Sequence, residues 1–261
     1  MSTRVTPDGE DAMLATERLN NIVTWLGEDE GLTVSELAER LGVSVSTVQR
    51  DLRKLEGQGS ILRARGGALP AGYHMTTALT EVETSSKEGV AATEKTAVAA
   101  AAATLVEDGE CIFLDSGSTL GYLAPHVASR PISIVTNSLY LVKRLGDCRA
   151  DVTLVGGTYD HRYDMCLGQM ATDAISRLNF DAAFLSASGV DARSGKVMAI
   201  GSDLGMLKQL VMANAAKSHL LVDSSKFQQR AMDTFARLGD FDTVITDSWP
   251  EGKRPANLML A

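Results

Sequence analysis

Apolar positions recur along the chain with two different periods, and the change falls near residue 70. Leu19, Ile22, Val23 and Leu26 follow helical spacing and predict a first amphipathic helix, ended by Gly27 and the acidic run Glu28-Asp29-Glu30. Thr33-Val34-Ser35-Glu36 has the form of a capping box and predicts a second helix with Val34, Leu37, Ala38 and Leu41 as its buried stripe. Gly42 stops that helix, Val43 fills the corner, and Ser44 caps a third helix whose inward positions are Val48, Leu52 and Leu55. Ile61–Ala64 reads as a short strand, and Arg65-Gly66-Gly67-Ala68 as a turn. Two short helices joined by a Gly-containing turn form the helix-turn-helix pattern, to which the strand and Gly-Gly turn would add a wing.

After residue 92 the pattern becomes short apolar runs separated by helical stretches. Thr93 is expected to cap a helix over Glu94–Val106. Strands are expected at Cys111–Asp115, Ile132–Thr136, Val152–Val155, Ala182–Ser186, Leu220–Asp223 and Thr243–Thr246. Helices fall between most of them, at Ser118–Ala128, Ser138–Leu145, Gln169–Leu178 and Ser202–Ala216. Strands alternating with helices imply a parallel α/β sheet covered on both faces. The expected organisation is a winged helix-turn-helix over residues 16–70, a Ser/Thr/Gly-rich linker over 71–92, and an α/β domain over 93–250.

Charge sharpens the first assignment. The chain of 261 residues carries a net charge of −8, which as an average argues against a polyanion-binding protein. Between Arg18 and Arg65, however, seven basic residues meet seven acidic ones, so the whole excess of acid lies elsewhere. From Gln49 to Arg65 five basic residues face two acids. The outward positions of the third helix and its cap, Ser44, Ser46, Thr47, Gln49, Arg50, Arg53 and Lys54, together with Arg65, are therefore candidate DNA contacts. An ordinary three-helix bundle would not need that face.

Composition excludes several alternatives. The first twenty residues carry acids and no apolar run of signal-peptide type, and the Ala-rich stretch Ala97–Val106 is too short to span a bilayer, so a cytoplasmic protein without membrane contact is expected. Cys111, Cys148 and Cys166 lack CxxC spacing and read as free thiols in a reducing compartment. Asp160-His161-Arg162-Tyr163-Asp164-Met165-Cys166 mixes metal-ligating types without a recognised spacing, and no metal or cofactor is expected.

In parallel α/β sheets ligands bind beyond the carboxyl ends of the strands. The first such end reads Asp115-Ser116-Gly117-Ser118-Thr119 and runs directly into a helix, which offers hydroxyls, free N–H groups and a positive dipole end to a phosphate. Asn137 and Asp191 end the second and fourth strands and could hydrogen-bond sugar hydroxyls. Gly156 and Gly157 end the third strand, and Lys226 follows the fifth, where it could neutralise a phosphate. Each also has an ordinary reading: helix cap for Asn137, turn residue for Asp191, surface lysine for Lys226.

These residues carry a resemblance. Leu37-Ala38-Glu39-Arg40-Leu41-Gly42-Val43-Ser44, Thr47-Val48-Gln49-Arg50-Asp51-Leu52 and Arg65-Gly66-Gly67-Ala68 resemble the DNA-binding region of DeoR-family transcriptional regulators. The likeness continues through Glu94-Lys95, Phe113 to Thr119, Val135 to Ser138, Gly156-Gly157, Asp223 to Phe227 and Thr246-Asp247. It implies a winged helix-turn-helix joined to a sensor domain resembling ribose-5-phosphate isomerase. Such a protein would be a repressor of carbohydrate catabolism genes, bound as a dimer or higher oligomer to double-stranded operator DNA and released by a phosphorylated sugar.

Three departures stand out. Gln49 replaces the first of two arginines, Met206 replaces a Glu two before Lys208, and an Arg common ahead of the sensor has no clear counterpart between Thr76 and Gly89. An isomerase would need carboxylates to move a proton. The Asp-Gly-Ala-Asp-Glu loop of such enzymes would fall on Leu185-Ser186-Ala187-Ser188-Gly189, which has none. No enzymatic activity is therefore expected.

Overall fold

The computed structural model describes residues 15–29, 32–64, 66–70, 74–76, 84–250 and 252–261. The chain divides into two compact units between Tyr73 and His74.

The N-terminal unit contains α1 (Ala15–Asp29), β1 (Leu32–Thr33), α2 (Val34–Leu41), α3 (Val45–Gly57), β2 (Ile61–Ala64) and β3 (Gly67–Pro70). The strands form an antiparallel sheet in the order β1-β3-β2. The capping box is present: the Glu36 N–H donates to Thr33 Oγ1 at 3.2 Å, and the Thr33 N–H donates to Glu36 Oε2 at 2.8 Å. Gly42 ends α2 at φ 64°, a conformation that suits glycine, and Ser44 caps α3 by accepting from the Thr47 N–H. Leu19, Ile22, Leu26, Leu37, Leu41, Val48, Leu52, Leu55 and Ile61 make the core. Val23, assigned inward from its spacing, is 38% exposed, because the buried stripe of α1 is narrower than the pattern implied.

One charged residue is inside this unit. Asp51 is buried on the inner side of α3, where Arg18 of α1 grips it with Nε at 2.5 Å and Nη2 at 3.2 Å. The pair fixes α3 against α1, and it removes one acid from the neighbourhood of the exposed arginines.

The C-terminal unit begins earlier than expected. His74–Thr76 (β4) pairs in parallel with Gln229–Ala231, and Thr84–Val90 packs on the sensor, so most of the described part of the expected linker belongs to this unit. α4 (Ala92–Ala103) follows, with Ala91 at its start at φ 53° and no side-chain cap from Thr93. The next elements are β5 (Cys111–Leu114), α5 (Ser118–Val127), β6 (Ser133–Thr136), α6 (Leu139–Leu145), β7 (Asp151–Leu154), β8 (Thr158–Asp160) and β9 (Met165–Leu167). Then come α7 (Gln169–Ile175), β10 (Phe180–Leu185), β11 (Gly189–Asp191), β12 (Lys196–Ala199), α8 (Ser202–Ala213) and β13 (Ala215–Leu221). β14 (Gln229–Ala231), β15 (Asp233–Arg237), β16 (Thr243–Thr246) and β17 (Leu258–Leu260) complete the unit.

Seven strands form one parallel sheet in the order β17-β16-β13-β10-β5-β6-β7. Alternate side chains feed two cores. Ile112, Leu114, Ala182, Phe184 and Leu221 pack under α4, α5 and α6, while Phe113, Ala183, Leu185, Leu220 and Val222 pack under α7 and α8. The sequence missed the antiparallel sheet β11-β12-β15, the hairpin β8–β9 and the edge strand β17. All are strands of three to five residues, too short for a period of two to show.

The Arg18–Asp51 pair generates a prediction. Asp51→Ala leaves a largely buried guanidinium without its carboxylate and should cost the N-terminal unit about 1.5–3 kcal/mol, the range for hydrogen bonds to charged groups. Urea unfolding followed by Trp25, the tryptophan of this unit, in a Trp249→Phe background should show it; an unchanged midpoint would remove the pair from the account of how α3 is held.

Candidate ligand site and candidate DNA-reading helix

On α3 the exposed positions Ser46, Gln49, Arg50, Arg53 and Lys54 share one stripe, three and four residues apart, opposite Val48, Leu52 and Leu55. Thr47 is half-buried beside them. Ser44, also expected as a DNA contact, spends its hydroxyl on the cap and on Ser46 and Thr47, at 2.8 and 2.9 Å. Arg65 lies outside the described residues.

In the sensor, strand order reverses between β5 and β10. From β5 the chain winds outward through β6 and β7; from β10 it winds the other way through β13, β16 and β17. A crevice opens at the carboxyl ends of strands at such a point. A cavity is found there, walled by Ser116, Gly117, Ser118, Thr119, Ser186, Ser188, Tyr163, Met165, Ile200, Leu204 and three lysines, Lys87, Lys208 and Lys226.

Asp115 follows β5 but does not line the cavity. It is 0% exposed, and its Oδ2 accepts from the Ser186 N–H at 2.8 Å, from the Ser186 hydroxyl at 2.6 Å and from the Lys208 ammonium. Burial by itself would raise this carboxyl; the adjacent Lys208 charge and the Ser186 donors outweigh it and hold the group below the usual carboxylate range. Lys208 Nζ also donates to the Ser186 carbonyl at 3.0 Å. This cluster ties the ends of β5 and β10 to α8.

Gly117 then starts α5 with no side-chain cap; its carbonyl accepts from the Leu120 and Gly121 N–H groups, and the N–H groups of the two residues before them, Ser118 and Thr119, precede the first intrahelical bond. Its φ of −76° is open to any residue; the need for glycine comes from crowding, since a Cβ would stand 2.6 Å from the Ser186 Cβ.

Opposite the helix start lies a cation-rich wall. Lys226 follows β13 in a single 3-10 turn, and its Nζ donates to Gln229 Oε1 at 3.3 Å. Burial lowers its pKa, offset in part by the buried carboxylate of Asp223. Lys87 is pushed down to about 7 by burial first, then by the charges of Lys226 and Lys95, with Asp223 opposing.

Several expected contacts sit elsewhere. Asn137 is fully buried and donates to the Cys166 carbonyl at 2.9 Å, while Cys166 N–H returns a bond to the Asn137 carbonyl at 2.7 Å, so it braces β9. The cap of α6 is Ser138, not Asn137. Asp191 binds the Arg193 and Ser194 N–H groups at 2.9 and 3.0 Å and stabilises a turn. Gly156 is exposed, and Gly157 lets β8 approach the Leu167 carbonyl; neither lines the cavity.

Conversely, sequence reading passed over Ser186, Ser188, Lys208 and Lys87. Lys208 was visible as a lysine on the apolar face of α8 with Leu204, Leu207 and Val211. Lys87 was hidden in a segment taken for linker, and it supplies the cavity with a cation from the stretch that lacks the family arginine. Met206, another of the departures, is 60% exposed and does not line the cavity.

Among the described residues no cluster of three metal-ligating side chains exists, the three thiols are free, and no helix is long and apolar enough to cross a membrane.

The cation wall predicts a pH dependence. An anion favours charged Lys87, so binding should take up a proton and weaken as rising pH neutralises the empty site. Sulfate, whose own charge is constant, should bind less tightly as pH is raised from about 6 to about 9, with the fall setting in above the empty-site Lys87 value of about 7. Calorimetry that found no pH dependence over this range would remove Lys87 from the anion's surroundings.

Comparison with known proteins agrees with this architecture. Residues 18–71 match the DeoR-like helix-turn-helix domain and residues 90–248 the DeoR C-terminal sensor domain. The chain is 35% identical over 239 residues to the HTH-type transcriptional regulator GlpR of Haloferax volcanii, covering 90% of this chain and 91% of that protein. It is 31% identical over 240 residues to the lactose phosphotransferase system repressor of Staphylococcus aureus, covering 91% and 94%. A ribose 5-phosphate isomerase from Methanocaldococcus jannaschii aligns with 52% of this chain and 54% of its own at 20% identity and a TM-score of 0.39. With a helix-turn-helix unit ahead of a parallel α/β sensor, both matched along their length, the chain belongs to the DeoR family of DNA-binding transcriptional regulators of carbohydrate-metabolism genes.

Proposed function

We propose that this protein is a repressor of carbohydrate catabolism genes that binds operator DNA as a homo-oligomer and is released by a phosphorylated sugar. The observation that carries the effector class is the cavity at the strand-order reversal, where hydroxyls and a helix start on α5 face Lys87 and Lys226. A phosphate would accept from the helix start and the lysines. The sugar's hydroxyls would meet Ser186 and Ser188, and its carbon skeleton would lie on Tyr163, Met165, Ile200 and Leu204. The names of the two relatives, a GlpR regulator and a lactose phosphotransferase system repressor, fit a sugar-linked effector.

Proton transfer at a sugar carbonyl would need a carboxylate at the cavity. Asp115 is committed to Lys208 and Ser186, and Asp191 to its turn, which favours sensing over isomerisation.

The stripe on α3, with the β2–β3 hairpin as a wing, reads the operator. Gln49 and Arg50 suit adenine and guanine edges in a major groove, and Arg53 and Lys54 suit phosphates. Arg50→Ala should cost about 1–3 kcal/mol at the specific site, while Lys54→Ala weakens all DNA about equally. Fluorescence anisotropy on specific and random duplexes separates the two, and wild-type affinity in Arg50→Ala would reject α3 as the reading element.

Release requires that the ligand prefer one arrangement of the oligomer. One sugar phosphate should lower operator affinity by a factor of about 5–150, and operator should lower affinity for that ligand by the same factor. Gly117→Val displaces Ser186 and crowds the helix start, so it should keep DNA binding and abolish release. Normal release of this variant in a gel-shift titration would put the phosphate elsewhere.

A further inference from the structure

The segment Thr84–Val90 leads from the DNA-reading unit into α4 and is fastened to the sensor at several points. The Thr84 N–H and hydroxyl donate to the Arg162 and Tyr163 carbonyls at 3.3 and 3.4 Å. Lys95 Nζ donates to the Lys87 and Val90 carbonyls, both at 2.7 Å. Glu88 is paired with Arg144 at 2.6 Å, and the Tyr122 hydroxyl donates to the Glu88 carbonyl. Between these anchors the segment places Thr84 and Lys87 in the cavity wall. Farther upstream, β4 is hydrogen-bonded to β14, which directly follows the turn bearing Lys226.

Both cations of the wall are thus coupled to the chain that arrives from the N-terminal unit: Lys87 is on it, and Lys226 sits beside its parallel partner. Lys95, whose ammonium holds the Lys87 and Val90 carbonyls, stands behind this wall, so the segment that carries Lys87 is itself fixed by a cation. We propose that Lys87 is a direct contact for the ligand's anionic group, and that by this contact ligand occupancy orders residues 74–76 and 84–91, the segment through which the sensor acts on the DNA-reading unit. The proposal rests on the reading of the cavity as an anion site. A dianion held by both lysines draws together the segment and the turn before β14, and it suppresses their local opening. Occupancy then changes the order of the connection itself, with no rearrangement of the sheet required.

Sulfate is the probe, with binding read by calorimetry and local opening by amide hydrogen exchange on the full-length protein. In the wild type, saturating sulfate should slow exchange in residues 74–76 and 84–91. Lys87→Gln should weaken sulfate binding by about tenfold or more, and Lys87→Arg should hold it within about threefold. At sulfate concentrations giving equal occupancy, Lys87→Arg should keep the slowed exchange and Lys87→Gln should lose it, a difference that general destabilisation would not produce. Wild-type affinity in Lys87→Gln, or equal slowing at equal occupancy, overturns the proposal. If Lys226→Gln weakens sulfate while Lys87→Gln does not, only the role of Lys87 falls. If neither substitution matters, or the wild type binds no sulfate, the anion-site reading falls with it.

Discussion

A carboxylate sealed from solvent, Asp115, must keep its counter-ion, and the sensor is arranged around that requirement. One of its oxygens gathers the Lys208 ammonium and both donors of Ser186. Removing either charge would leave the other buried and alone, at a cost of about 3–5 kcal/mol. The pair therefore fixes the end of β5, the end of β10 and the middle of α8 in one geometry. Those three pieces border the cavity, so its lining is positioned by a charge pair internal to the fold.

The two units solve the same problem differently. In the N-terminal unit a buried ion pair, Arg18–Asp51, sits behind the exposed stripe of α3 and orients it, while the candidate contact side chains are exposed and unencumbered by that acid. In the sensor the lysines of the cavity wall are themselves partly buried, which lowers the proton affinity of Lys87 and Lys226. Recognition of a long polyanion calls for solvated arginines on a convex helix; recognition of one small dianion calls for lysines in a concave site, where each charge counts for more.

Much of this was legible in the sequence, and where it failed the reasons are local. The capping box, Gly42 and the Ser44 cap carry short-range backbone chemistry and were readable to the residue. The inner strands of the parallel sheet were readable because both of their faces are buried, so each appears as an apolar run. The ligand contacts were less so. Asp115, Asn137 and Asp191 look like sugar-binding residues because they end strands, yet each turns inward: the two carboxylates accept from backbone or ammonium donors, and the Asn137 amide donates to a backbone carbonyl. Whether a strand-end polar group faces the ligand or braces the loop depends on long-range partners, such as Ser186 for Asp115, 71 residues away. Lys87 was missed for the opposite reason: a Ser- and Gly-rich stretch has the composition of a linker, and only its tertiary anchors make it a wall.

The order of the strands also sets the order in which the chain acquires its parts. The N-terminal unit closes over residues near in sequence, whereas β5 lies beside β10 and its Cys111 N–H is bound by Asp181, 70 residues later. Local contacts form fast and distant ones slowly. At about 5–20 residues per second of synthesis, the cavity lags the reading helix by something on the order of ten seconds. Every newly made molecule thus passes through a stage on the ribosome at which its helix-turn-helix unit is complete and its sensor does not yet exist.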